Sequence, residues 1–385
     1  MDFELPTHVI EFRTKVRRII DETVTEEMRL DSHKSGFFNS YELNKRLAAE
    51  GILEAAVPGM GKGDPLSLWV FFNELEHAQA PYDGISVALL AAGVVNAVGT
   101  DEQKARILPS ILSGTALVSL GYSEPDYGSD VASIVTRAVQ DGDEWVINGA
   151  KMWTSLAQES KWILLLTRTN TDVPKHKGLT MFILPMDTPG ITHKPVPTMG
   201  AEITNATFYD NVRVGPEAVL GNVNEGWRTM GVALAFERGV MGGTAAGVPL
   251  LNHFFAWAKA AAASDGGVAA DPIARERMAR TAIDNEVAKL LTQQAAWIAA
   301  TGGLPGLEGS MAKIFATEAY QKSCRWFQQL AGPAGILQFH QPGAAADGWI
   351  EYENRHAPVT TIYGGTSEIN RNNVAERLLG LPKAR

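Results

Sequence analysis

The hydrophobic period of this 385-residue chain changes twice, and that limits the folds open to it. Up to about residue 118, apolar residues recur at helical spacing. Val9 to Val24 and Tyr41 to Glu50 mix apolar and charged positions, while Leu66 to Ala78 and Ile85 to Val98 are apolar helices. Between them, Pro58 to Pro65 is a glycine-rich break. Thr100 or Asp101 is placed to cap a further helix, with acids in its first turn. From Ala116 to about Val219 the pattern becomes short β-rich runs: Ala116–Tyr122, Val131–Val139, Glu144–Ile147, Trp162–Thr169, Leu179–Pro185 and Ala206–Tyr209. Asp141-Gly142-Asp143 is a turn signal between two of them. Helical texture returns after Gly221, in Met230–Ala246, Ala274–Ala300 and Ser310–Leu330, with a loop over Ala260–Pro272. The order predicts a mainly α chain with a middle β-barrel or sandwich between two helical domains. The expected boundaries are 1–118, 119–225 and 226–385.

Composition removes several function classes. The net charge of −9 gives no electrostatic footprint for DNA or RNA. With Cys324 as its single cysteine, the chain cannot form an internal disulfide, and a cysteine-based zinc site is not expected. The first residues lack the apolar core of a signal peptide, and Ile85–Val98, broken by Gly93 and Asn96, is too short to span a bilayer. A cytoplasmic protein is expected. There is no HExxH, no GxSxG and no GxGxxG opening a helix after a strand. Gly59 to Asp64 has the wrong spacing for a phosphate loop. Metal, nucleophilic-hydrolase and Rossmann chemistry all lose support.

Three segments can carry chemistry. Ser119 to Asp130 leaves the first predicted strand with hydroxyls, free amides and Gly128, a combination suited to phosphate and equally to an ordinary turn. Asn148 to Ser155 sets Trp153 beside Thr154 and Ser155, able to cover an aromatic ring and bond its edge, or to fill a barrel core. Ile362 to Arg371 places Gly364-Gly365 before a helix with a Thr/Ser start, which suits an anion or simply a capped helix.

In this order the three segments resemble the acyl-CoA dehydrogenase family, whose patterns read T-E-P-x-x-G-S-D, N-G-x-K-x-W-I-T and Y-x-G-T-S-E-I. Further similarity lies in Gly99–Lys104, Leu108–Gly114, Gly221–Trp227, Glu237-Arg238, Met311–Lys313 and Gln329–Gly335, so it covers nearly the whole chain. The resemblance implies an N-terminal helical domain, a β-barrel and a C-terminal four-helix bundle, with FAD between barrel and bundle. Leu120, Tyr122 and Ser123 would run along the flavin ring, with Gly128 and Ser129 near its pyrophosphate. Trp153 would cover the ring beside Thr154, and Ser155 replaces the usual threonine near its reactive nitrogen. Thr366 and Glu368 match positions that contact FAD beyond the ring, and Ser129, Arg238 and Gly364 match substrate positions. The implied partners are an acyl-CoA substrate, electron-transfer flavoprotein as acceptor, and further subunits in a homo- or hetero-oligomer.

Two departures matter. Many members place the catalytic glutamate where this chain has Gly364. A smaller branch carries it on an earlier helix in a Glu-Arg pair, matched here by Phe236-Glu237-Arg238-Gly239, so Glu237 is the expected base. Gly239, Gly242, Gly243 and Gly247 follow it, suited to close helix packing or to room for a branched or polycyclic acyl group. The second departure concerns the Arg and Gln that members commonly lend to a neighbour's FAD. No Arg occurs between Arg238 and Arg275, no Gln from Gly226 to Thr292, and Pro333 stands where a second glycine is usual. Actinobacterial dehydrogenases of steroid side-chain thioesters resemble this chain in S-x-G-Y-S-E-P and K-M-W-T-S-L and include mixed assemblies. A hetero-oligomer and a homotetramer with rewired adenine contacts both remain open.

Overall fold

A computed structural model describes residues 3–240, 246–261, 267–303 and 305–383, with backbone only at 235–240 and 261. The helices before the strands are α1 (Thr7–Thr23), α2 (Glu26–Ser35), α3 (Tyr41–Ala49), α4 (Ile52–Ala55), α5 (Pro65–His77), α6 (Asp83–Val98) and α7 (Asp101–Leu112). The strands are β1 (Leu117–Gly121), β2 (Arg137–Asp141), β3 (Glu144–Lys151), β4 (Ser160–Arg168), β5 (Leu179–Pro185), β6 (Ile191–Pro197) and β7 (Ile203–Val214). Then come α8 (Gly226–Val240), α9 (Gly247–Ala261), α10 (Gly267–Ala270), α11 (Pro272–Ala300), α12 (Leu307–Ala331), α13 (Trp349–Thr360) and α14 (Ser367–Arg377).

The chain divides into two compact units. One comprises Ile10–Leu68 and Pro81–Glu237 and contains the strands. They form one sheet in the order β1-β4-β2-β3-β7-β6, with β5 also paired to β4. This path does not close, so the expected barrel is an open sheet. β4 lies among three partners, parallel to β1 and β2 and antiparallel to β5. Its continuous Trp162–Leu166 run is accordingly buried, as a strand covered on both faces requires. β6 was not foreseen, because Pro195 and Pro197 argue against a strand. Among the described residues it pairs only with β7, at the end of the sheet, where a proline need not donate to a second neighbour. Only the last third of the expected Val131–Val139 strand is one: Val131–Ser133 is a 3-10 turn and β2 starts at Arg137.

Gln103 ties this unit together. Thr100 Oγ1 accepts from the Gln103 amide at 3.2 Å while Gln103 Oε1 accepts from the Thr100 amide at 2.9 Å. The same carboxamide donates to the carbonyls of Glu217 and Val219 at 2.9 and 2.8 Å, fastening α7 to the segment beyond β7.

The other unit comprises Met1–Val9, Trp69–Ala80 and Arg238–Arg385. Its core stacks Phe254 of α9 on Phe327 of α12, ring centroids 4.1 Å apart. Trp69 Nε1 donates to Thr292 Oγ1 of α11 at 3.0 Å. α11 begins at Pro272 with Asp271 as its cap, not at Ala274, since proline suits a first helical position. The expected Ala260–Pro272 loop therefore holds helix at both ends and the short α10. Of the expected Met230–Ala246 helix, 241–245, including Gly242 and Gly243, lies outside the described residues. Among the described residues no helix is long and apolar enough to cross a membrane, and no His/Cys/Asp/Glu group could hold a metal ion.

Replacing Gln103 by methionine removes the carboxamide donor to the part-buried carbonyls of Glu217 and Val219 and the acceptor of the Thr100 amide. It is expected to lower the unfolding free energy by about 3 kcal/mol, read from chemical denaturation.

Candidate functional site

In the sheet unit, the chain after β1 wraps around a buried carboxylate. Glu124 accepts from the amides of Val135 and Thr136, both at 2.8 Å. Lys151, at the end of β3 and fully buried, donates to Glu124 Oε1 at 2.9 Å and to the Tyr122 carbonyl at 3.1 Å. Arg168, at the end of β4, donates to the carbonyls of Ala132 and Ile134. Side chains thus take up the backbone groups of 132–136, which explains why β2 starts late. Burial alone would raise the Glu124 carboxyl, but the Lys151 charge and the Thr136 and Val135 hydrogen bonds hold it below the usual range. Burial pulls the Lys151 ammonium down to about 8 against the opposing pull of Glu124.

These contacts orient the loop. A trans peptide points its C=O and N–H in opposite directions. With the Tyr122 carbonyl turned toward Lys151, the Ser123 N–H faces the other way. The Ser123 carbonyl accepts from Met152 N at 2.9 Å, joining the first and second motifs. Leu120, Tyr122 and Ser123 are partly buried, while Gly128 and Ser129 are exposed. A Cβ at Gly128 would meet nothing within 4 Å, so the chain's own packing does not require glycine there.

The second motif resolves one open alternative. Trp153 is 58% exposed, so it does not fill the sheet core, where Trp145 and Trp162 are buried instead. It adopts φ +63°, a conformation costly for an aromatic residue. Its neighbour Thr154 offsets that strain: the Thr154 amide donates to the Asn205 carbonyl at 2.9 Å, and Asn205 Nδ2 donates back to the Thr154 carbonyl at 3.1 Å. Thr154 is buried and its hydroxyl lies 3.3 Å from that of Thr207. Ser155, two positions after Trp153, is exposed; its hydroxyl lies 3.5 Å from that of Thr204 and its carbonyl is held by Ser119 Oγ at 3.0 Å.

In the helical unit, Gly364 and Gly365 have φ of +65° and +91°, where a side chain is strained. Thr366 caps α14, its Oγ1 accepting from Ile369 N at 3.1 Å, and Glu368 is exposed in the first turn. Lys313 of α12 donates to the carbonyls of Tyr363 and Gly365 at 2.5 and 2.7 Å. Asn370 Nδ2 donates to the carbonyls of Gly365 and Thr366 at 2.8 and 3.1 Å. Glu237 and Arg238 lie on the backbone of α8, but their side chains are outside the described residues.

Sequence reasoning gave no role to Glu124, Lys151, Arg168, Lys313, Asn205 or Asn370. The available signal was a charged or amide residue inside an otherwise apolar run, as in Lys313 between Ala312 and Ile314.

Glu124→Gln strands the Lys151 charge and is expected to cost about 3–5 kcal/mol of stability in urea unfolding near pH 7. The sign with pH follows from the depressed folded value of Glu124. Its contribution is full above the unfolded carboxylate pKa and fades as pH falls through the lower folded value. Acid unfolding of Glu124→Gln should therefore be shallower than that of the native chain.

The acyl-CoA dehydrogenase N-terminal, middle and C-terminal domain families match residues 7–115, 119–212 and 224–379. The chain is 33% identical to acyl-CoA dehydrogenase IpdE1 of Mycobacterium tuberculosis over 394 residues, covering 97% of this chain and 98% of that protein. Among solved structures, the Tcur3481-Tcur3483 steroid ACAD superposes with a TM-score of 0.90 at 33% identity, over 100% of both chains. The ChsE4-ChsE5 complex from Mycobacterium tuberculosis does so with a TM-score of 0.90 at 31% identity, again over 100% of both. The two motif loops of the sheet unit and the glycine turn of the helical unit thus sit on a shared fold, and this chain belongs to the acyl-CoA dehydrogenase family of oxidoreductases.

Proposed function

We propose that this chain, loaded with FAD, converts an acyl-CoA thioester to the 2-enoyl-CoA, with Glu237 as general base. The observation that carries the cofactor reading is Trp153, an exposed indole held out of the core on a strained backbone. The residues fit a flat aromatic group with a phosphate tail. Leu120, Tyr122 and Ser123 would run beside the ring, with the outward Ser123 N–H at its edge. Trp153 would cover the ring, with Thr154 anchoring that segment and Ser155 bonding the edge. Gly128 and Ser129 leave open backbone for a pyrophosphate, and Thr366 and Glu368 would meet FAD farther along.

An α proton of a thioester is a poor acid in water. The Gly364 N–H is proposed to bond the thioester oxygen and so stabilise the developing enolate. Glu237 removes the α proton, and Arg238 and Ser129 help place the substrate. FAD, when bound, supplies the acceptor for the β hydrogen. The left-handed φ at Gly364 disfavours a glutamate there, which supports a base carried on another element. Electron-transfer flavoprotein is the proposed acceptor.

The acyl group is proposed to be branched or polycyclic, a steroid side-chain thioester being the first to test, because the solved neighbour at 33% identity is a steroid ACAD. A panel of acyl-CoAs added anaerobically should bleach the flavin most strongly with that class. Slow reoxidation by air is expected, and rapid oxygen consumption would instead indicate an oxidase or monooxygenase. Glu237→Gln should lower kcat by about three decades or more. Full activity of that variant in the assembled complex would make the chain a catalytically silent subunit.

A hetero-oligomer with a second acyl-CoA dehydrogenase-like chain is favoured by two observations. Gln329 Oε1 is taken up by Arg277 at 3.3 Å, and Pro333 lacks an N–H, so this segment is poorly equipped to serve a neighbour's FAD. Purified alone, the chain should hold FAD substoichiometrically and gain occupancy with its partner. Full occupancy and turnover without a partner would favour the homotetramer.

A further inference from the structure

We infer that Lys313, assisted by Asn370, is a positioning residue that turns the Gly364 N–H outward as the hydrogen-bond donor for the thioester oxygen. The inference rests on the acyl-thioester reading above and assigns it a residue outside the motif.

Lys313 is 7% exposed, and a buried ammonium is costly unless its hydrogens find acceptors. Two of those acceptors are the carbonyls of Tyr363 and Gly365, one on each side of Gly364. In a trans peptide the C=O of Tyr363 and the N–H of Gly364 point in opposite directions. The same holds for the C=O of Gly365 and the N–H of Thr366. One ammonium group therefore sends both N–H groups away from itself. Among the described residues neither amide has a protein acceptor. The peptide planes on either side of the Gly364–Gly365 plane can face one donor here because Gly364 and Gly365 both adopt positive φ. Asn370, 1% exposed, adds a second hold on the Gly365 carbonyl and one on that of Thr366. The turn is thus fixed before any substrate arrives, which is what electrostatic preorganisation requires.

A purely structural tie would also bury Lys313, and the two readings separate in the substrate's carbonyl. The protein, in the assembly that gives full FAD occupancy, is mixed with an unreactive 3-thia-acyl-CoA labelled with carbon-13 at the carbonyl, and the C=O stretch is recorded by difference infrared spectroscopy. The native protein should lower that frequency relative to solution. In Lys313→Met the band should return most of the way to its solution position. Its kcat should fall about 10- to 100-fold with KM within about twofold. A folded Lys313→Met with the native band position and kcat, altered only in melting temperature, would overturn the inference. Should Lys313→Met not fold, Asn370→Ala carries the test, with a partial return of the band expected and an unmoved band counting against it. Failure of the native protein to bind the thioester overturns the acyl-thioester reading, and this inference with it. Binding with an unshifted carbonyl overturns this inference alone.

Discussion

Two buried ammonium groups set the conformation of the segments proposed to meet ligand. Lys151 in the sheet unit and Lys313 in the helical unit each lie at the edge of a motif loop. Each donates to the main chain of that loop, Lys151 to the Tyr122 carbonyl as well as to the Glu124 carboxylate, and Lys313 to the carbonyls of Tyr363 and Gly365. Removing an ammonium from water costs several kcal/mol, so each loop is held wherever those carbonyls must be. The trans peptide then turns the opposite N–H groups outward. The chain obtains outward donors without devoting a side chain to each.

The two clamps differ in how charge is handled. Lys151 faces a carboxylate, and that carboxylate also collects two amides, so one buried ion pair fixes both ends of the loop from Tyr122 to Thr136. Lys313 spans two carbonyls separated by a glycine pair, and the conformational freedom of glycine makes the arrangement possible. Asn205 and Asn370 play a parallel part beside them, each carboxamide holding a neighbouring carbonyl of its motif. A strained Trp153 persists because Asn205 binds the next residue from both sides.

Much of this was legible in order and type of element. The double change of period places the strands between helices, and a cap for α7 at Thr100 or Asp101 is visible, the structure choosing Thr100. β6 was hidden because its prolines are acceptable only at a sheet edge, a position that a linear pattern does not disclose. The strand expected from Val131 failed at its start because distant Glu124 and Arg168 claim its backbone groups. An open sheet rather than a barrel follows from how strands pair, which periodicity alone does not fix.

What the sequence determined by itself was local: hydrophobic period, turn residues, caps and the motif letters that mark the family. These depend on neighbours a few positions away. Whether Trp153 lies inside or outside, which carbonyls Lys313 and Lys151 hold, and where the Gly364 N–H points were decided only by the tertiary structure. Each depends on groups tens of residues apart, and a buried charge or amide takes its role from the partners that folding brings within hydrogen-bond reach.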